Sequence, residues 1–234
     1  MTKTERTGGS LTPRDRDIIE HVARYRLTTV PALRRTHLRG CSAGAVRKIV
    51  ARLIGSQYLQ GYPLVHPGRY YVLGIAGAQA LGIATHRTLP LGPQSLPTEF
   101  ATLVYATHGK QLRKRLFQRE VLVHCPWLSQ ALATAIHCLD ESQATLELLR
   151  IDLGGPPDHV ARKCIADINA RRRHAEFLPF VRSGKFRLVV VTATADKARA
   201  LRQAIDRHDW PAELPIHFSI VSDLLSLTAR THDA

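Results

Sequence analysis

The stretch Ser42–Leu53, with the sequence SAGAVRKIVARL, decides how the first part of this chain folds. Its apolar residues recur at helical spacing and share one face: Val46, Ile49, Val50 and Leu53. The other positions are mostly small or basic: Gly44, Ala45, Arg47, Lys48, Ala51 and Arg52. Small side chains let a helix lie close against a DNA groove, where cations meet phosphate or guanine. Many amphipathic helices carry Lys and Arg on a merely solvated face, so the neighbouring segments must decide between the two interpretations.

Composition narrows the classes of partner. The chain has 234 residues, 44% of them hydrophobic, with a formal net charge of +14 and an isoelectric point near 10.3. We expect a folded protein whose positive excess favours a polyanion, above all nucleic acid. No apolar run is long enough to span a bilayer, and the N-terminus MTKTERTGGS lacks the apolar core of a signal peptide. The expected location is the cytoplasm, with the nucleoid or a plasmid, and no membrane partner is expected.

The cysteines give no sign of a metal site or a disulfide framework. All four are scattered, without a CxxC pair: Cys41, Cys125, Cys138 and Cys164. They are expected to be reduced, structural thiols. The pairs His124-Cys125 and His137-Cys138 stand thirteen positions apart, which is not a usual ligand spacing. We therefore predict no metal and no cofactor.

Three helices are predicted before residue 55. Residues 1–10 are polar and are expected to form a flexible arm. Thr12 and Pro13 give a hydroxyl cap and a first-turn proline for a helix to about Arg24. Thr28-Thr29-Val30-Pro31 repeats that pattern for a short helix to about Thr36. Gly40 can end it, and Ser42 can cap the next helix, from Ala43 to Ile54.

After Gly55 the pattern becomes extended. Two aromatic-rich runs, Tyr58–Tyr62 and Tyr70–Leu73, flank Pro67-Gly68 and predict a β-hairpin. A short helix from about Ile75 to Leu81 follows. Helix, helix, turn, helix and hairpin is the order of a winged helix-turn-helix domain, which we place at residues 11–84.

The charge distribution agrees with a DNA-binding domain. Residues 1–84 hold thirteen Lys and Arg against four Asp and Glu, a difference of +9. In a winged helix the DNA side collects the start of the second helix, the outer face of the third and the wing tip. The predicted DNA-binding residues are Thr28, Thr29, Arg34, Arg39, Ser42, Arg47, Lys48, Arg52, His66 and Arg69. Helix caps would position phosphates, and base reading would fall to Arg47 and Lys48. Capping alone explains the threonines and Ser42 equally well.

A second domain is predicted after a linker at residues 85–97, which is rich in Pro. Residues 98–234 alternate between strand-like and helix-like segments, which favours a partly parallel sheet covered by helices. The expected strands are 144–153, 186–192 and 216–221, and the expected helices are 98–107, one that starts at Pro126, 159–182, 195–208 and 223–228. A basic cluster at residues 110–119 is either a second DNA surface or, in the favoured interpretation, a solvated helix face.

Two segments resemble the replication-relaxation family of bacterial mobile elements and plasmids. LTPRDRDIIEHVARYRLTTVPAL (11–33), the third helix and YYVLGIAGAQALG (70–82) look like its start. IADINARRRHAEFLPFVRSGKFRLVVVTATADKARALRQAI (165–205) looks like its later half. The resemblance implies a winged helix followed by a domain similar to the PD-(D/E)xK nuclease fold, with a long helix, an apolar strand ending in Thr and an Arg-rich helix.

That nuclease chemistry needs paired carboxylates on a metal and a nearby lysine, usually as (D/E)-x-K. No Asp or Glu in the chain is followed two places later by Lys. Asp152 and Asp158 are the nearest candidates, and a strand end and a helix cap explain them more simply. We therefore predict a non-catalytic second domain that serves as a dimerisation or partner-docking module.

The leading hypothesis is a sequence-specific double-stranded DNA-binding protein of a mobile element, working as a homodimer in transcription, replication or transfer. One alternative is a metal-dependent nuclease that uses Asp152 and Asp158. The other is an adaptor whose winged helix binds protein instead of DNA.

Overall fold

The computed structural model describes residues 11–65 and 68–229. The polar arm and His66 of the sequence analysis lie outside these residues. The chain divides into an N-terminal unit, Met1–Pro90, and a C-terminal unit, Leu91–Ala234. Within the described ranges, no helix is both long and apolar enough to cross a membrane.

Three capped helices open the N-terminal unit: α1 (Pro13–Tyr25), α2 (Val30–Thr36) and α3 (Ala43–Gly55). The predicted hydroxyl caps are confirmed. Thr12, Thr29 and Ser42 each accept a hydrogen bond from the backbone N–H three residues on, at 3.2, 3.3 and 3.2 Å. Each cap satisfies one of the N–H groups that a helix leaves unpaired at its start, and this is why the three helices begin where the sequence predicts.

A β-hairpin follows the helices, as the sequence predicts. Strands β1 (Leu59–Pro63) and β2 (Arg69–Leu73) pair antiparallel. Thr28 adds a bridge that the sequence did not reveal. Its N–H donates to the Tyr71 carbonyl at 2.8 Å, and the Tyr71 N–H donates to the Thr28 carbonyl at 2.9 Å. The segment between α1 and α2 thereby fixes the hairpin against the helices.

The apolar stripe of α3 packs into the core of this unit. Val46, Val50 and Leu53 are at most 1% exposed, and Ile49 packs at the edge. The helix α4 (Ile75–Ala80) lies so close to the turn before β1 that a Cβ at Gly77 would overlap the Tyr58 carbonyl oxygen. The predicted linker starts too early, because residues 85–88 form a 3₁₀ helix in which the Thr88 carbonyl accepts from Tyr62 Oη.

The C-terminal unit is a five-stranded mixed sheet between helices. Its strands, in spatial order, are β3 (Lys114–Arg115), β4 (His137–Asp140), β5 (Thr145–Ile151), β6 (Phe186–Thr192) and β7 (Ile216–Ile220). The first three pair antiparallel, and β5, β6 and β7 run parallel. All seven residues of β6 are buried, as expected for a central strand covered on both faces. The predicted partly parallel sheet is confirmed.

The helices of this unit are α5 (Ser95–His108), α6 (Gln118–His124), α7 (Gln130–Ala133), α8 (Pro157–Arg172), α9 (Phe177–Arg182), α10 (Ala195–Asp206) and α11 (Leu224–Ala229). Two sequence predictions are wrong here. The helix expected from Pro126 to Leu139 is only the single turn of α7, and its end joins the sheet as β4. The long helix expected at 159–182 is broken between α8 and α9.

Candidate nucleic-acid interface

The outer face of α3 is open and cationic. Arg47, Lys48 and Ala51 are exposed, opposite the buried residues Val46 and Val50. Arg47 and Lys48 form no ion pair or side-chain hydrogen bond within the described residues. Gly44 has open space where a side chain would stand, since a Cβ there would meet only the Ser42 hydroxyl at 3.9 Å. The outer surface of the first turns of α3 therefore has little side-chain bulk, and it lies beside two cations.

The part of the sequence that contains α3 has no acidic residue. Between Glu20 and Glu99 the chain contains no Asp or Glu, so α2, α3, the hairpin and α4 carry only neutral and basic side chains. The carboxylates described in the N-terminal unit all lie on α1. Two of them form ion pairs: Glu20 pairs with Arg16, and Asp15 pairs with Arg52. The charged side chains that α2 and α3 themselves carry are therefore all basic.

Thr28 is not part of an exposed surface, and its predicted DNA contact is wrong. Its side chain is fully buried, and its hydroxyl lies 3.1 Å from His21 Nε2. Thr29 is 7% exposed and uses its hydroxyl to cap α2, so a phosphate contact by that side chain is wrong as well. Ser42 also caps its helix, but it is exposed at the start of α3. Of the three residues Thr28, Thr29 and Ser42, Ser42 is thus the exposed one.

Arg52 faces α1. Its guanidinium lies 2.5 Å from the carboxylate of Asp15, which is 1% exposed. Burial by itself would raise the pKa of Asp15, but the hydrogen bond and charge of Arg52 outweigh it and hold that pKa below its ordinary value. The ion pair joins α1 to α3 and keeps a buried carboxylate compensated, while half of the Arg52 side chain stays exposed, so its DNA contact remains a prediction.

The remaining predicted cations are exposed and oriented by the backbone. Arg34 Nε donates to the Cys41 carbonyl at 3.1 Å, and Arg39 Nε donates to the Arg35 carbonyl at 2.9 Å. Both bonds leave the terminal nitrogens of the guanidinium available to a phosphate. Arg69 is exposed at the start of β2, next to the hairpin turn. Arg34 and Arg39 precede α3 in the chain, and Arg69 lies on the hairpin that follows it.

His21, a buried histidine on α1 that the sequence analysis did not single out, forms a ring cluster with His37 and Tyr25. His21 is 5% exposed, and its ring centroid lies 4.8 Å from that of His37 and 4.7 Å from that of Tyr25. Burial, with the nearby charges of His37 and Arg24, lowers the pKa of His21 to about 3. Burial also lowers the pKa of His37. The imidazole of His21 is therefore neutral near pH 7.

This cluster predicts acid sensitivity of the N-terminal unit. Above pH 6.5 His21 is neutral in both folded and unfolded chains, so its contribution to stability is complete. Between pH 6.5 and about 3 only the unfolded chain binds the proton, and stability falls by about 1.4 kcal/mol per pH unit for that histidine. Hydrogen exchange of the α1 amides against pH measures this loss. The variant His21→Gln should flatten the profile, whereas His86→Gln, at an exposed histidine, should leave it unchanged.

Asp152 and Asp158 do not form a shared site. Asp152 accepts from the Thr192 hydroxyl at 3.1 Å and from the Gly154 N–H at 3.0 Å. Asp158 is exposed on the first turn of α8 and pairs with Arg207 at 2.5 Å. Each carboxylate thus has its own structural partners, and neither depends on the other.

A different carboxylate pair, which the sequence analysis missed, lies on the sheet. Asp140 at the end of β4 and Glu147 on β5 are both 0% exposed, and both bind Arg187 on β6. Glu147 also accepts from Tyr105 Oη at 2.8 Å and from Arg113 Nε at 3.1 Å. Asp140 accepts from Ser142 as well. Two carboxylates and two guanidinium groups balance in charge, so the pair is saturated by the protein itself.

The basic cluster at 110–119 is partly paired with acidic residues of the same unit. It was expected on a helix face, but Lys114 and Arg115 form β3 instead. Arg115 pairs with Glu99, and Lys114 pairs with Glu120 at 3.2 Å. The cluster therefore holds α5, β3 and α6 together, and Lys110 is left exposed at its N-terminal end.

The histidine–cysteine pairs also separate. In β4, His137 points to the face that contains Arg171, and Cys138 points to the face that contains Glu147. Among the residues that the structure describes, no three His, Cys, Asp or Glu side chains are grouped to hold a metal. Burial raises the pKa of Cys138 to about 12 and that of Cys125 to about 11, so these two remain protonated thiols.

Comparison of the chain with protein families, with curated proteins and with solved structures finds no significant match in any of the three. The function has to be inferred from the chain's own side chains and geometry.

Proposed function

We propose that this chain is a sequence-specific double-stranded DNA-binding protein, and that its N-terminal unit is a winged helix-turn-helix domain. In this proposal α3 is the recognition helix and enters the major groove. Arg47 and Lys48 contact base edges, and the hairpin forms the wing. The observation that carries the proposal is the exposed cationic face of α3, in a segment of the chain without any Asp or Glu.

The shape of α3 is suited to binding in a DNA groove. Its outer face is low because Gly44 and Ala51 are exposed there, and small residues permit close approach of the helix axis to the bases. Ser42 leaves the start of α3 accessible, where helix N–H groups favour an anion such as a phosphate. Arg34 and Arg39 are positioned by carbonyl hydrogen bonds to contact phosphates on either side.

The proposal includes a setting and an assembly state. The resemblance to the replication-relaxation family suggests a role in transcription, replication or transfer of a mobile element, in the cytoplasm. Two recognition helices on a symmetric site would require a homodimer. An adaptor function is a weaker candidate, because a partner for this surface would have to be a strongly acidic protein.

We propose a non-catalytic role for the C-terminal unit. Support comes from the Asp140–Glu147 pair, whose oxygens already bind arginine, tyrosine and serine groups. The order α8, β6 ending at Thr192 and α10 agrees with the resemblance to a PD-(D/E)xK fold without its motif. Dimerisation or docking of a protein partner is the proposed use of this unit.

Selection of bound fragments from random duplex DNA at near-physiological salt tests the proposal. We expect a defined site to emerge, and a palindromic site would support the dimer. The affinity should also fall steeply as salt increases, because each neutralised phosphate releases counterions. An unselected pool together with salt-independent binding would refute DNA recognition and favour the adaptor.

A further inference from the structure

The C-terminal unit contains an open cleft of about 540 Å³ that has no part in the function proposed above. It lies between the C-terminal end of α5, the loop 109–113 and strand β7. Its polar lining includes His108, Lys110, Arg113, His217 and Ser219. Its apolar wall includes Val104, Val189 and Val221. The cleft is within the size range of small-molecule sites and combines an apolar wall with a few convergent polar groups.

The charge of the lining is one-sided. Among the described residues that line the cleft, none is Asp or Glu, while a lysine, an arginine and two histidines are present. The nearest carboxylate in the adjoining network, Glu147, is fully buried and already bonded to Tyr105, Arg113 and Arg187. A ligand in the cleft would therefore meet cations and hydroxyl groups, with the carboxylate behind them.

The buried network also holds Arg113 in place. Its Nε donates to Glu147, its Nη1 donates to the Gln111 carbonyl at 3.1 Å, and its guanidinium stacks on the Tyr105 ring at 4.6 Å. An arginine fixed in this way loses little conformational freedom when a ligand binds, which favours affinity.

The titration of His217 agrees with a positive local potential. Burial lowers its pKa, and the charges of Arg187, Arg113 and Arg202 lower it further, against one opposing charge from Glu147. Three cations thus act on a group at the mouth of the cleft. A bound dianion would offset this field.

We propose that this cleft binds a phosphate group, carried either by a free nucleotide or by the end of a DNA strand. A tetrahedral dianion accepts hydrogen bonds from several directions, and the ammonium group of Lys110, the imidazole of His217 and the hydroxyl of Ser219 supply donors from different elements. The apolar wall receives the body of the ligand. This site is separate from the DNA face of α3 and does not depend on it.

The test is isothermal titration of the full chain with inorganic phosphate and with dAMP at low salt. We expect saturable binding, tighter for dAMP, and at least a tenfold weaker Kd in the variant Lys110→Ala/His217→Gln. Both side chains are exposed, and fluorescence of Trp127 and Trp210 checks that the unit is folded. Lys185→Ala removes the same charge from an exposed position outside the cleft, and it should bind as the parent chain does.

Competition with DNA distinguishes the two sources of the phosphate, and other outcomes would overturn the proposal. Competition of dAMP by a duplex with 5′-phosphates, but not by the same duplex without them, would identify a strand end, and lack of competition by either would identify a free nucleotide. Absence of saturable binding, or equal loss in the cleft variant and Lys185→Ala, would overturn the proposal. Arg47→Ala/Lys48→Ala should leave dAMP binding intact, so failure of DNA recognition would be seen independently.

Discussion

Replacing Arg187 with methionine is expected to lower the free energy of unfolding of the C-terminal unit by about 3–5 kcal/mol, the cost of breaking a buried ion pair from one side. Arg187 is 8% exposed and contacts Asp140, Gln143 and Glu147 at once. Methionine retains much of the side-chain volume but none of the hydrogen-bond donors. Asp140, which is fully buried, then loses the cation to which it is bonded.

Urea unfolding followed by tryptophan fluorescence measures this effect selectively, because both tryptophans, Trp127 and Trp210, belong to the C-terminal unit. The matched control is Arg182→Met. Arg182 pairs with Glu213 on the surface, so its loss should cost about 0–1 kcal/mol. Similar unfolding midpoints for the two variants would mean that the network contributes no more than a surface pair does.

A network of this kind also explains how two adjacent carboxylates can be buried on the sheet, since both are bonded to cations of the protein. Metal binding at Glu147 would have to displace Arg187 and Arg113, and Arg113 would lose the carboxylate with which it is paired. That exchange is costly, since buried charges are tolerated only when they are paired.

The N-terminal unit was predictable because its signals are local. Hydroxyl caps, first-turn prolines and the 3.6-residue period all act within one or two helical turns. The bridge between Thr28 and Tyr71 was not predictable in this way, because its partners are far apart in the sequence. The ion pair of Arg52 with Asp15 was not predictable for the same reason, because its partners are 37 residues apart.

In the C-terminal unit the central strands were predictable and the edges were not. The run FRLVVVT is continuously apolar except at Arg187, and it forms β6 over the predicted residues. His137–Asp140 carries a helix-compatible pattern, but pairing with β5 through a hairpin overrides it. The Asp140–Glu147 pair could have been suspected only from that hairpin register, which places Cys138 opposite Glu147, and a search for (D/E)-x-K does not detect it.

The variant Arg47→Ala/Lys48→Ala is expected to lose discrimination among DNA sequences and to keep most of its non-specific affinity. If each side chain reads a base edge, each loss costs about 1–3 kcal/mol on the selected site, so the double variant should approach the affinity for unrelated DNA. Both residues are exposed and have no ion-pair partner in the described part of the chain, and the core side of α3 is unchanged. The fold should therefore persist.

The contrast with phosphate contacts makes this expectation decisive. Arg34→Ala and Arg39→Ala remove cations whose geometry suits the DNA backbone, so each should weaken selected and unrelated duplexes by the same factor and lower the salt slope by about one ion. Binding constants for both duplexes across a salt series give the comparison. If the α3 double variant also weakens both duplexes equally, Arg47 and Lys48 contact phosphates, and base reading belongs to other side chains at the start of α3. If neither the α3 double variant nor the variants Arg34→Ala and Arg39→Ala change binding, the cationic face of α3 is not the DNA surface. The positive charge of the N-terminal unit then has another partner.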